Sequence, residues 1–302
     1  MELRQLEYFS AVARHGQFTR ASRALSVAQP AVSQQIKRLE AELGLELFRR
    51  TTRHVELTDA GELLLDRANR ALGEIEAARQ ELSEISGLLR GRVEIGALPV
   101  SNIDTPGLVA GFHELHPHVR IHLHELTLEL MLRMLRRDEL DLCFALIEPA
   151  ELGSDLDGVL LYHEELVAMV ASDHELAGRT RVSLERLSTE PLVRFRSGSA
   201  IQRAIDGAFD RAGIAPAYSF QTFELETMRA LAHRGVGVGV LPAGYLERDG
   251  PAVATVSIRP RIELPVSLIW RAERRRPPAA EAFLGYARDC VLGERSGEQA
   301  SA

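Results

Sequence analysis

Between residues 29 and 38 the chain sets Gln29, Pro30, Ser33, Gln34, Lys37 and Arg38 at helical intervals, with Val32, Ile36, Leu39 and Leu43 forming an apolar stripe between them. A glutamine amide can bond a base edge at two atoms, and lysine or arginine can hold guanine or phosphate. A helix with such a front and an apolar back suits the major groove of duplex DNA. Pro30 is fit to open this helix, because the first helical position needs no N–H donor, and Gly44 is fit to close it. Upstream, Phe18, Ala21, Ala24 and Leu25 share one face of a shorter helix, and the chain breaks at Ser26-Val27-Ala28-Gln29. The pair reads as a helix-turn-helix whose recognition helix runs from Pro30 to Leu43, with Thr19 as a phosphate contact. An ordinary helical hairpin with a solvated face matches these residues equally well. The segment after Gly44 favours DNA: Leu45 to Thr58 reads as a two-stranded wing with Arg49, Arg50 and Arg53 at its tip.

Other residues invite chemistry less. His122 and His124 alternate with Ile121 and Leu123 on a strand, which makes them solvated side chains rather than metal ligands, and no Cys/His quartet has zinc spacing. The glycines of residues 234–240 follow a helix and enter a strand, the reverse of a dinucleotide fingerprint, so they read as a helix cap and close strand packing. No Gly-x-Ser-x-Gly elbow surrounds Ser197 or Ser199, and no nucleophile is paired with a base. A two-subdomain α/β enzyme with a DNA-binding head is thereby disfavoured, and no catalytic residue, metal or cofactor is assigned.

Leu3 to Arg14 forms a first helix with Leu6, Phe9, Val12 and Ala13 on its packing face. Thr58, with Asp59 and Glu62 behind it, caps a long helix. Along it Leu64, Ala68, Ala71, Ile75, Ala78, Leu82, Ile85 and Leu89 alternate steps of four and three, the heptad seam of a coiled coil. Such a rod of roughly 45 Å predicts a dimer; packing of this face on its own domain is the other reading. After Gly91, strands at 92–97, 119–125 and 140–147 alternate with helices at 105–115 and 128–137, predicting a mostly parallel sheet covered on both faces. A second series has strands at 166–170, 218–222 and 262–271, a segment at 192–195, helices at 200–212, 225–233 and 279–291, and a polar frayed tail.

The chain of 302 residues is 45% apolar, enough for about two globular units. It is acidic overall, but residues 1–58 hold nine basic against six acidic side chains, whereas the remainder holds 27 against 37. The positive charge is therefore local, as a DNA footprint requires. Two cysteines, an N-terminus without signal-peptide layout and no apolar run near ~18 residues point to a soluble cytoplasmic protein with no membrane association.

Residues 1–65 resemble the winged helix-turn-helix of the LysR-type transcriptional regulators. The likeness runs in order through Leu6, Phe9, Val12, Ala13 and Gly16; through Phe18, Thr19, Ala21, Ala24 and Leu25; through Gln29 to Ser33, Ile36, Leu39, Glu40, Leu43 and Gly44; and through Leu47, Phe48, Arg50, Leu57, Thr58 and Gly61. A weaker likeness to the same family's effector domain runs through RRDELDL, HEELVAMV, RAGIAP, HRGVGVGVLP and PVSLIWR. The resemblance implies an α plus α/β architecture: a winged helix-turn-helix at 1–58, a linker and dimerisation helix at 59–90, and an effector domain at 91–302. The last has two α/β subdomains like a periplasmic binding protein, about 91–161 with 266–302, and about 162–265. It implies a transcriptional regulator that senses a small molecule, rather than a ligand-independent architectural DNA binder.

Ligands of open α/β sheets bind at the carboxyl ends of strands, in the crevice between halves. Ser101, Asn102, Thr127, Arg196, Ser197 and Ser199 fall at such places, and helix starts favour anions. With the family's preference for small carboxylates, they point to an anionic metabolite with Arg196 as charge partner; caps and turns are the plainer explanation of each. The peroxide-sensing branch uses a cysteine pair in its second subdomain, and this chain has none there. The partners implied are double-stranded DNA with a dyad-symmetric operator, the effector, and a second copy in a homodimer extended to a homotetramer. RNA polymerase is a further partner the resemblance leaves room for.

Overall fold

The computed structural model describes residues 1–50, 55–84, 89–98, 103–272 and 276–300, without the side chains of residues 50, 76, 77, 79–84, 247 and 294–300. The first unit is built from α1 (Leu3–His15), α2 (Phe18–Ala24), α3 (Gln29–Leu43), the antiparallel strands β1 (Phe48–Arg50) and β2 (Val55–Leu57), and the start of α4 (Asp59–Glu84). Its core is small and aromatic: Phe9 is fully buried, with Phe48 at 5.2 Å between ring centroids, and Phe18 lies 6.0 Å from Phe48. Val32, Ile36 and Leu39 complete it. Leu43 and Ala24, expected on the packing faces, are exposed. Leu43 lies in the last turn of α3 and Ala24 in the last turn of α2, whereas Ser22 is buried.

Gly44 closes α3 with φ 68°, a left-handed conformation that costs a residue without Cβ least. The chain enters α3 one residue earlier than expected, at Gln29, with Pro30 still inside the first turn, whose N–H groups have no helical acceptor. Gly61 is required by contact: a Cβ there would lie 2.2 Å from the Leu47 carbonyl oxygen. Thr58 caps α4, accepting the Gly61 N–H at 3.0 Å.

The heptad stripe on α4 divides. Ala68 is buried and Leu64 half-buried, both against the core of the first unit together with Leu65, so packing on the chain's own domain accounts for these turns. Ala71, Ile75 and Ala78 are exposed. The Leu82 side chain and Ile85 lie outside the described residues. Leu89 packs on the core of the second unit.

That second unit begins with β3 (Gly91–Ala97), α5 (Thr105–Leu115), β4 (Val119–Glu125), α6 (Leu128–Arg136) and β5 (Leu142–Ala145). There follow β6 (Leu156–Val170), β7 (Arg181–Ser183), α7 (Leu184–Ser188), β8 (Leu192–Arg194), α8 (Ala200–Ala212), β9 (Tyr218–Gln221), α9 (Leu225–His233), β10 (Gly239–Pro242), β11 (Ala254–Arg271) and α10 (Pro278–Ala300). The main sheet has the order β10-β6-β11-β5-β3-β4, and β7 joins β11. Pairing of β3 with β4 and β5 is parallel, but β6 and β11 pair antiparallel along most of their length, so the sheet is mixed rather than mostly parallel.

Those two strands are the structural reason. The sequence suggests short strands at 166–170 and 262–271, yet β6 and β11 extend to 15 and 18 residues. Their polar stretches, such as Tyr162-His163-Glu164-Glu165, carry no strand pattern of their own and are held by pairing. Register shifts fall between Ser257 and Ile262 and between Val266 and Ser267. The expected frayed tail is instead helical to Ala300; residues 293–300 hold no proline and continue α10. The glycines after α9 behave as cap and packing: Gly235 has φ 68°, and a Cβ on Gly237 would lie 2.6 Å from the Pro191 carbonyl oxygen.

Candidate nucleic-acid interface and ligand cleft

At about 100° per residue, Pro30, Ser33, Gln34 and Lys37 share the side of α3 opposite Val32, Ile36 and Leu39, with Arg38 beside them. Gln29, Pro30, Gln34, Lys37 and Arg38 are exposed and Ser33 is half-buried. The neighbouring Gln35 points elsewhere, toward the Gln5 amide at 3.5 Å. Before the helix, Ser26 takes the left-handed φ of 56°, and the Val27 N–H bonds the Ser22 carbonyl at 3.0 Å, which makes the turn tight. Thr19 is exposed on α2. Glu40 ties the wing to the same helix by accepting the N–H groups of Leu47 (3.0 Å) and Phe48 (3.4 Å). Arg49 is exposed on β1; Arg50 ends that strand, and Arg53 lies outside the described residues.

This surface and the mixed sheet beyond it find counterparts in known proteins. Residues 3–62 match the bacterial regulatory helix-turn-helix protein model of the lysR family, and residues 86–290 match the LysR substrate binding domain. The chain belongs to the LysR family. A RuBisCO operon transcriptional regulator of Allochromatium vinosum is 31% identical over 304 residues, covering 97% of this chain and 96% of that one. A hydrogen peroxide-inducible genes activator of Escherichia coli O6:H1 is 32% identical over 277 residues, 90% of each. Among solved structures, full-length CbnR complexed with its target DNA superposes with a TM-score of 0.67 at 27% identity, over 95% of this chain and 99% of that chain. As a LysR-family member the protein is a DNA-binding transcriptional regulator whose C-terminal half is a ligand-binding domain.

In that half the residues expected to hold a ligand do not converge. Ser101 and Asn102 lie outside the described residues. Thr127 precedes α6, exposed and without a side-chain capping bond. Ser199 caps α8, accepting the Gln202 N–H at 3.1 Å, which is the plainer role foreseen for it. Ser197 is exposed, and Arg196 is half-buried with its guanidinium 6.0 Å from the Phe195 ring. None of these four lines the cavity of about 370 Å³ found where β3 and β4 end. Its walls are Ala97, Leu98, Ile103 to Pro106, Leu123 and Glu125 on one side, and Gly244 and Arg248 on the other. The carboxyl-end rule pointed to this crevice, but nothing local in the sequence marks Glu125 or Arg248 as its members.

His122 is exposed, as the strand alternation implies, and His124 is half-buried. They do not simply face solvent: His122 Nδ1 lies 3.0 Å and His124 Nε2 2.7 Å from the two carboxylate oxygens of Glu94, which is itself buried. Parallel pairing sets Glu94 opposite His122 and Gly96 opposite His124, so one carboxylate reaches both rings. Burial raises the Glu94 carboxyl, but the hydrogen bond from His124, with Arg92 and His122, outweighs it and holds the group below its ordinary value. Glu94 also lines a second cavity of about 330 Å³, with Ser10 and Arg14 of α1 and Asn69 of α4. There the Asn69 amide donates to the Arg137 carbonyl at 3.0 Å, tying α4 to the second unit.

The chain's cysteines, Cys143 and Cys290, both lie outside residues 162–265. Cys143 is fully buried, and burial pushes its thiol well above the usual range, so it packs rather than reacts.

Proposed function

We propose that the protein binds a dyad-symmetric operator as a homodimer or homotetramer, with α3 of each subunit in a major groove. The exposed amide, hydroxyl and cationic side of α3, set against a buried aliphatic one, carries this reading. Gln29, Pro30, Ser33, Gln34, Lys37 and Arg38 meet base edges and adjoining phosphates, Thr19 meets phosphate, and Arg50 and Arg53 hold the wing on the backbone. The exposed stripe of Ala71, Ile75 and Ala78 supports pairing of α4 with a second copy, at the spacing a heptad seam requires.

In the second half, a small molecule carrying a carboxylate enters the crevice between the two subdomains, about 91–161 with 266–302 and about 162–265. Ser101, Asn102, Thr127 and the Arg196–Ser199 turn border that crevice in this reading, and Arg248 adds a second cation. Closure about the β6 and β11 crossing then changes the angle between paired α4 helices and the spacing or bend of the operator. RNA polymerase is the partner through which that change alters transcription.

Lys37 is the chain's sole lysine, which gives a direct test. Amine acylation followed by mass spectrometry should show Lys37 protected by the chain's own promoter DNA and labelled freely with random duplex at matched concentration. Equal labelling in both would remove α3 from the groove.

A further inference from the structure

The cavity at the ends of β3 and β4 has walls of both signs. From one side come Asp104 and Glu125, both exposed; Glu125 is the last residue of β4 and makes no ion pair among the described residues. From the other comes Arg248, whose guanidinium lies 5.5 Å from the centre of the Tyr245 ring. Behind the wall at Gly244, Glu164 is 4% exposed and accepts the Gly244 N–H at 2.9 Å, adding a third carboxylate just below the surface. The start of α5 opens into the same cavity, yet it is already occupied: Asp104 accepts the Gly107 N–H at 3.0 Å. This helix end therefore presents a carboxylate where a bare one would attract an anion. Leu98, Ile103, Pro106 and Leu123 supply the apolar remainder.

Among the described residues that line the cavity, a ligand with a carboxylate alone would meet one guanidinium and two carboxylates, and an amine alone would meet that guanidinium. We infer that the cleft takes a small zwitterion of the amino-acid class, its carboxylate toward Arg248, its ammonium between Asp104 and Glu125, and its side chain on Leu98, Ile103 and Leu123. A volume of about 370 Å³ admits a molecule of that size. The inference rests on the crevice being the effector site and adds the second charge to the ligand proposed for it.

The test uses the full-length chain. The twenty standard L-amino acids are screened by thermal shift, and the best binder is compared by calorimetry with its deamino acid and its decarboxylated amine. At least one amino acid should bind, and each truncated analogue should bind at least tenfold more weakly. Glu125→Gln should weaken the amino acid at least tenfold while leaving the deamino acid unchanged. Arg248→Gln should weaken the amino acid and leave the amine unchanged. Both positions are exposed, so unliganded melting temperatures should stay within a degree or so of the parent. A deamino acid that binds as tightly as the amino acid, and responds to Arg248→Gln, would overturn the zwitterion and keep the crevice as the site. Amino-acid binding indifferent to both variants would overturn both readings. If no amino acid binds, the inference fails, and a parallel set of simple monocarboxylates shows through its Arg248 dependence whether the crevice survives.

Discussion

The two ends of this regulator assemble their sites in opposite ways. In the DNA-binding head, the six residues proposed for the groove fall within ten positions of one helix, and the core that orients them is formed by α1 to α4 and the wing within the first 72 residues. In the second half, the cavity draws Ala97 from β3, Glu125 from its register partner position on β4, Asp104 from the turn before α5 and Arg248 from the stretch between β10 and β11. A site on one helix inherits its geometry from the helical period. A site between subdomains inherits it from sheet pairing and chain crossing.

That contrast is open to attack in several places. The largest expected effect is in the head core, where Phe9 is fully buried against Phe48. Phe9→Ala should destabilise the head by about 3–5 kcal/mol, seen as faster hydrogen exchange through α1 and α3. Trp270, the sole tryptophan, stands on β11 and reports the other half; its fluorescence transition should not move. A parallel shift of both signals would mean that the halves unfold as one body.

Next is the groove itself. Gln34→Ala should relax base preference by about 1–3 kcal/mol at one operator position, measured by binding-site selection, whereas Arg53→Ala should weaken all sequences alike and reduce the salt slope by about one. An unchanged selection profile for Gln34→Ala would take that side chain out of base readout.

Smaller still is a pH effect in the second half. Glu94 sits below its ordinary value of 4.5, so its contribution is present above that value and lost as pH falls through the lower folded one. Urea midpoints of the parent should therefore fall with acidification below about pH 4.5 more steeply than those of Glu94→Gln. Equal slopes would show the His122 and His124 contacts to be without energetic weight. The smallest change is in the turn of the head: Ser26 holds φ 56°, and Ser26→Gly should stabilise by about 0.5–1 kcal/mol in urea melts, since the strain removed slightly exceeds glycine's added chain entropy.

Much of the head was readable from residue order. The α3 face, the Gly44 cap, the wing and the Thr58 cap all follow from local spacing, because each depends on neighbours within a turn or two. The misses there, Leu43 and Ala24, lie where a helix outruns the partner that would cover it. In the second half the helices α5, α8 and α9 were legible, as was the cap-and-packing role of Gly235 to Gly239. The polar stretches of β6 and β11 were not, since pairing rather than pattern makes them strands. Nor was the clasp of Glu94 by His122 and His124, which needs the parallel register of β3 with β4.

Taken alone, the order of residues determined most of the helices, the family and the polar, exposed side of α3, because helical period, caps and local charge are properties of adjacent positions. Tertiary structure decided which half of the α4 stripe is spent inside the head, and which charges meet in the crevice. Glu125 and Arg248 share a cavity only because the long strands carry the chain between subdomains. Long-range pairing places side chains that no local pattern relates.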